Sequence, residues 1–145
     1  MKIYFAGSIR GGRDYQQVYQ ETINMLSAFG MVLTEHIGKK EISNAGEEAV
    51  AGTVLKDFQI YDRDMNWLRE ADVIVADVTM PSLGVGYEIG RAEAYKKHIL
   101  CIRKKDAEKR LSAMIGGNRG LRVEEYDSVE ELKGIFEGFF SNLPK

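Results

Sequence analysis

Two glycine-bearing segments with polar side chains each follow a run of apolar residues. The first is Gly7-Ser8-Ile9-Arg10-Gly11-Gly12-Arg13. Glycines let backbone N–H groups turn toward an anion, Ser8 adds a hydroxyl donor, and Arg10 and Arg13 add charge. A helical pattern follows, and the dipole at its N-terminus favours an anion too. The segment matches neither G-x-G-x-x-G nor a Walker loop. A glycine-rich turn with solvated arginines accounts for it equally well.

The second segment is Met80-Pro81-Ser82-Leu83-Gly84-Val85-Gly86-Tyr87-Glu88. Ser82, Gly84 and Gly86 could form another polar cradle. A helix starting at Gly86 would put Glu88 in its first turn. There a carboxylate complements the helix dipole by about 0.3–1 kcal/mol. The same dipole would keep a nucleophilic carboxylate ionised. From position alone, capping is the simpler role.

Other polar residues carry weaker signals. Asp64 and Asp62 lie at opposite borders of the apolar stripe on one predicted helix, so periodicity does not choose between them. A solvated surface acid is the default for both. Tyr4 sits inside the first strand and reads as core, unless its hydroxyl reaches the sheet's upper edge. Trp67 reads as an interhelix packing residue, His36 as a loop histidine and His98 as a strand opener, and the histidines make no metal site. Cys101 is the single cysteine, flanked by Leu100 and Ile102, and reads as a buried strand thiol.

Strand and helix patterns alternate through the chain. Strands are expected at Ile3–Ala6, Met31–Thr34, Asp72–Ala76, Ile99–Ile102 and Leu121–Tyr126. Helical stripes run from Tyr15 to Phe29, with Gly30 as the stop, and from Val54 to Leu68. Further helices are expected at Gly86–Lys96, Ala107–Ile115 and from Val129 to Leu143, and Glu35–Thr53 reads as a long loop. The pattern predicts an α/β fold, doubly wound, with a mostly parallel five-stranded sheet in flavodoxin-like or Rossmann-like order and helices on both faces. Ligands of such sheets sit beyond the carboxyl ends of the strands, so the two segments above are the expected site.

The 145 residues suit one domain, 1–145, with a core that needs no staples. The net charge of -2 argues against a general nucleic-acid or membrane-surface binder. With neither a leader pattern nor a membrane-length apolar run, the expected location is the cytoplasm, or also the nucleus in a eukaryote.

Taken together, the segments resemble the nucleoside 2-deoxyribosyltransferase superfamily, and most closely its branch of 2'-deoxynucleoside 5'-monophosphate N-glycosidases. The resemblance rests on Tyr4 to Arg13, Val32-Leu33-Thr34-Glu35-His36, Asp64-Met65-Asn66-Trp67-Leu68, Ala71-Asp72-Val73, Pro81 to Ala92 and Leu111-Ser112-Ala113-Met114-Ile115. These run in family order over nearly the whole chain, while the loop from Gly38 to Phe58 and the C-terminal helix match poorly. The resemblance implies a retaining N-glycosidase acting on a nucleoside 5'-monophosphate. Glu88 would be the nucleophile at C1', Asp64 the acid for the departing base, and Tyr4 the residue steering Glu88. Glu88 must then be ionised while Asp64 is protonated. Gly7, Ser8, Ile9, Arg10, Gly11, Gly12, Arg13, Ser82 and Gly84 would hold the phosphate. Ser112, with Ala113 and Met114, would reach it from the partner subunit of a homodimer. No metal or organic cofactor is implied.

Three rivals stand beside this expectation. Deoxyribosyl transfer between bases shares Glu88 and differs only in what attacks the glycosyl-enzyme. A ribonucleotide hydrolase differs only at the sugar. A nucleotide sensor or receiver-like domain would leave its ligand intact, but receivers need an acidic pair where this chain has Gly7-Ser8-Ile9-Arg10, which leaves Asp77 unsupported as a phospho-acceptor.

Overall fold

A computed structural model describes residues 1–8, 13–34, 49–50 and 52–144, with the side chains of 13, 14 and 50 left out of the description. Its elements in chain order are β1 (Lys2–Ala6), α1 (Arg13–Leu26), β2 (Met31–Val32), β3 (Ala49–Val50), β4 (Thr53–Val54) and α2 (Asp57–Glu70). They continue with β5 (Val73–Asp77), α3 (Leu83–Ala94), β6 (His98–Lys104), α4 (Ala113–Gly116), β7 (Arg122–Tyr126) and α5 (Glu131–Ser141). Five parallel strands make one sheet in the order β2-β1-β5-β6-β7, and β3 and β4 form a separate antiparallel hairpin. The sheet order is the flavodoxin-like one, with its switch point between β1 and β5.

Period-two alternation divides the core into two layers. Ile3, Phe5, Val73, Val75, Leu100 and Ile102 face one side, where α1 and α5 supply Ile23, Leu26, Leu132 and Phe136. Tyr4, Ala6, Ile74, Ala76 and Cys101 face the other, against Met65 and Leu68 of α2 and Val85, Ile89 and Ala92 of α3. The strands are apolar on both faces because helices cover both, as a parallel sheet requires. Thr34 extends the short β2: its Oγ1 accepts the Phe5 N–H at 2.8 Å and donates to the Phe5 carbonyl at 2.7 Å. Gly30 does more than stop α1, because a Cβ there would lie 2.5 Å from the Met1 carbonyl oxygen.

Several expected boundaries shift. α3 begins at Leu83 rather than Gly86, because the Ser82 Oγ accepts the Val85 N–H at 3.2 Å and caps the helix earlier. Glu88 is therefore the sixth helical residue, in the second turn, and dipole capping is not its role. The expected helix Ala107–Ile115 shrinks to α4, which Ser112 caps through the Met114 N–H at 3.2 Å. The chain before it is tied elsewhere, with Arg103 donating to the Lys109 carbonyl at 3.0 Å. Val54 belongs to the hairpin rather than to a helix, and the hairpin interrupts the expected loop Glu35–Thr53.

Candidate active site

The site grows from three elements that meet at the carboxyl end of the sheet. Tyr4 lies on β1, paired with Ile74 of β5, and points into the α2–α3 layer. It is 1% exposed, and the Glu88 carboxylate of α3 lies within electrostatic reach of its hydroxyl. The Tyr4 phenol is held well above its ordinary pKa, first by burial, then by the charges of Glu88 and Asp64. It stays a neutral donor. Asp64, on α2, is thus within electrostatic reach of the same phenol. Asp62 is exposed, whereas Asp64 is half-buried.

α3 holds Glu88 by packing Val85, Ile89 and Ala92 into the core. Tyr61 of α2 and Tyr87 of α3 bring their hydroxyls to 3.3 Å on the outer side of the seam. The helix also carries Gly84, Gly86 and Gly90, although each glycine inside a helix costs about 1 kcal/mol relative to alanine. Among the described residues nothing lies within 4 Å of a Cβ built at Gly86, and only the Ser82 Oγ, at 3.8 Å, near one at Gly84. Packing therefore does not explain the glycines of the first turn. Among the described residues they leave open space beside the N-terminus of α3.

The first glycine segment enters the site only in part. Ser8 is buried and donates its N–H to the Tyr19 hydroxyl at 3.1 Å. Gly7 packs so closely that a Cβ would lie 3.0 Å from the Tyr19 ring. Ile9, Arg10, Gly11 and Gly12 lie outside the described residues, as do Glu35 and His36, and Arg13 is described only as the backbone start of α1. Across the sheet edge, Ser82 and Ser112 line one groove of about 540 Å³ together with Met80, Gly86, Leu111 and Met114. Each serine oxygen accepts a cap N–H and keeps its own proton to donate. Leu83 and Met114, on the same groove, are 97% and 81% exposed.

Sequence reading missed Arg63. Its Nε and Nη2 both lie 2.8 Å from the Asp64 Oδ1, and its guanidinium stands 4.9 Å from the centre of the Trp67 ring. The adjacent basic residue was the available signal, but neighbours on a helix do not ordinarily share a face. His98 opens β6 as expected, and Cys101 is fully buried with its thiol pushed up to about 12 by burial. No described helix is long and apolar enough to cross a membrane.

A family profile described as nucleoside 2-deoxyribosyltransferase matches residues 3–132. A 5-hydroxymethyl-dUMP N-hydrolase of Tetraodon nigroviridis is 48% identical over 145 residues, covering 98% of this chain and 99% of the relative. The enzyme of the same name from Homo sapiens is 45% identical over 144 residues, covering 98% of this chain and 80% of that one. Among solved structures, the CMP N-glycosidase BcmB of Clostridium botulinum aligns with a TM-score of 0.65 at 16% identity, over 96% of this chain and 99% of that chain. A 2-desoxiribosyltransferase from Leishmania mexicana aligns with a TM-score of 0.58 at 18% identity, over 99% of both chains. These two share the fold. The match over most of the chain, together with the near-full-length identity to N-hydrolases, places this protein in the nucleoside 2-deoxyribosyltransferase family.

Proposed function

We propose that this enzyme hydrolyses the N-glycosidic bond of 2'-deoxynucleoside 5'-monophosphates, with Glu88 as nucleophile in a retaining mechanism. The observation that carries the mechanism is the meeting of Tyr4, Glu88 and Asp64 at the switch point of the sheet. The near-full-length relatives that hydrolyse 5-hydroxymethyl-dUMP support the substrate class and make that nucleotide the first to test. A Glu88 oxygen attacks C1', the C1'–N bond breaks, and its electron pair leaves with the base, which takes a proton from Asp64. Water then attacks C1' of the glycosyl ester and gives a proton to the Asp64 carboxylate, so that deoxyribose 5-phosphate leaves with the Glu88 carboxylate and the Asp64 acid both restored. The Tyr4 hydroxyl orients the attacking oxygen.

The phosphate is assigned to Ser8, Ser82, Gly84 and the segment through Arg13. We assign a homodimer in which Ser112, with Ala113 and Met114, serves the partner's phosphate site. The exposed Leu83 and Met114 favour cover by a second copy. The deciding experiment incubates the protein with deoxy- and ribonucleoside monophosphates, reading free base by chromatography. Base should appear from deoxynucleoside monophosphates without any added acceptor base. Release only when an acceptor base is supplied makes the chain a transferase, and binding without release makes it a sensor. For the dimer, mixed Glu88→Gln and Ser112→Ala chains should regain activity above the sum of the two parents once exchange is verified by native mass spectrometry. Exchange without recovery means that Ser112 does not serve the partner's site.

A further inference from the structure

One buried acid has no part in this chemistry. Asp77 is the last residue of β5 and is 0% exposed. The four residues before it, Val73-Ile74-Val75-Ala76, are apolar and buried, and an apolar fifth residue would avoid the desolvation cost of a carboxylate. The carboxylate instead contacts the turn that leaves the sheet for α3. Its Oδ1 accepts the Thr79 N–H at 2.9 Å, and its Oδ2 faces the Tyr126 hydroxyl at 3.5 Å. The Thr79 Oγ1 in turn accepts the Lys104 N–H at 3.0 Å, and the Val78 N–H donates to the Ile102 carbonyl at 2.9 Å. The start of the turn is therefore fastened to β6 and faces β7. Tyr19, whose hydroxyl accepts the Ser8 N–H, lies within electrostatic reach of Asp77.

We propose that Asp77 is a positioning residue that shapes the β5–α3 turn and so sets Ser82 at the 5'-phosphate of the substrate. The inference rests on the monophosphate reading given above. Its specific content comes from a division of labour along this stretch. The body of α3, and with it Glu88, is held by Val85, Ile89 and Ala92 in the opposite core layer. The turn before Ser82 is held by Asp77 and Thr79. Loss of the Asp77 carboxylate should therefore disturb phosphate recognition more than attack at C1'.

The test compares kcat/KM for a 2'-deoxynucleoside 5'-monophosphate with that for the same nucleoside lacking phosphate. Asp77→Ala is expected to lower this ratio by about 10-fold or more, through a higher KM for the monophosphate, since one charge-assisted contact is at stake. Asp77→Asn, which still offers Thr79 an acceptor, should restore most of the ratio. Leu132→Ala, a fully buried change on α5, serves as the stability control. It should lower Tm and leave the ratio untouched. If Asp77→Ala does not fold, Thr79→Val carries the test, because it removes the acceptor for Lys104 and should lower the ratio in the same direction. A wild-type preference for the monophosphate that survives both substitutions overturns the positioning role and leaves the phosphate reading intact. A wild type without that preference overturns the phosphate reading, and this inference with it.

Discussion

The carboxyl edge of the sheet carries two pairs of the same chemistry, one on each face. Tyr4 meets Glu88 in the α2–α3 layer, and Tyr126 meets Asp77 in the α1–α5 layer. One-residue steps along the strands separate them, because Tyr4 and Phe5 point to opposite faces, as do Ala76 and Asp77. Asp77 is fully buried, whereas Glu88 is only half-buried. Under the proposed mechanism, a carboxylate and a phenol are therefore not enough to make a reactive centre. What separates the two pairs is whether a substrate can reach the oxygen.

Exchanging amide for acid on each face tests that contrast most severely. Glu88→Gln keeps the size of the side chain and removes the charge needed for attack. Base release should fall by about 10³-fold or more while nucleotide binding persists. Asp77→Asn should show a smaller loss, expressed in KM rather than kcat. Near-normal turnover by Glu88→Gln would end the nucleophile assignment. Asp64→Asn comes next. General-acid catalysis supplies roughly 10²–10⁴-fold, so substrates with poor leaving groups should lose that much and an activated base far less. Equal losses for both would mean that Asp64 only positions the site. Tyr4→Phe should cost about 10- to 100-fold, the worth of one hydrogen bond to a charged group, with no dependence on the leaving group.

The alternation of strands and helices and the doubly wound sheet were legible because each rests on local pattern. The sequence also held two acids at the borders of one helical stripe, and only the approach of α2 to β1 distinguishes Asp64 from Asp62. The start of α3 was misplaced because Gly84 read as a loop residue and Gly86 as the first residue of the helix. The Ser82 cap overrides their poor propensity and moves Glu88 into the second turn. Asp77 could be seen at the end of an apolar strand, but its partners Thr79, Lys104 and Tyr126 come together only through the pairing of β5, β6 and β7. Cys101 was read correctly from its two apolar neighbours, since burial within a strand is a local property.

The smallest expected effect concerns stability rather than rate, and it tests whether the second pair is truly sealed. Burial raises the Asp77 pKa above its ordinary value, outweighing the hydrogen bonds from Thr79 and Tyr126 and the charge of Lys104. A carboxyl group whose folded pKa exceeds its unfolded one binds its proton more tightly in the fold. Its contribution to stability is complete below the unfolded pKa, about 3.9, and is lost as the pH rises through the folded pKa. Asp77→Asn removes this titration. The difference in Tm, variant minus wild type, should therefore become more positive as the pH rises above about 4. Thermal unfolding followed by circular dichroism at several pH values measures it directly. A difference that stays flat across this range would mean that the Asp77 charge costs no more in the fold than in water. The two faces of the sheet would then differ in their partners and not in their access to solvent.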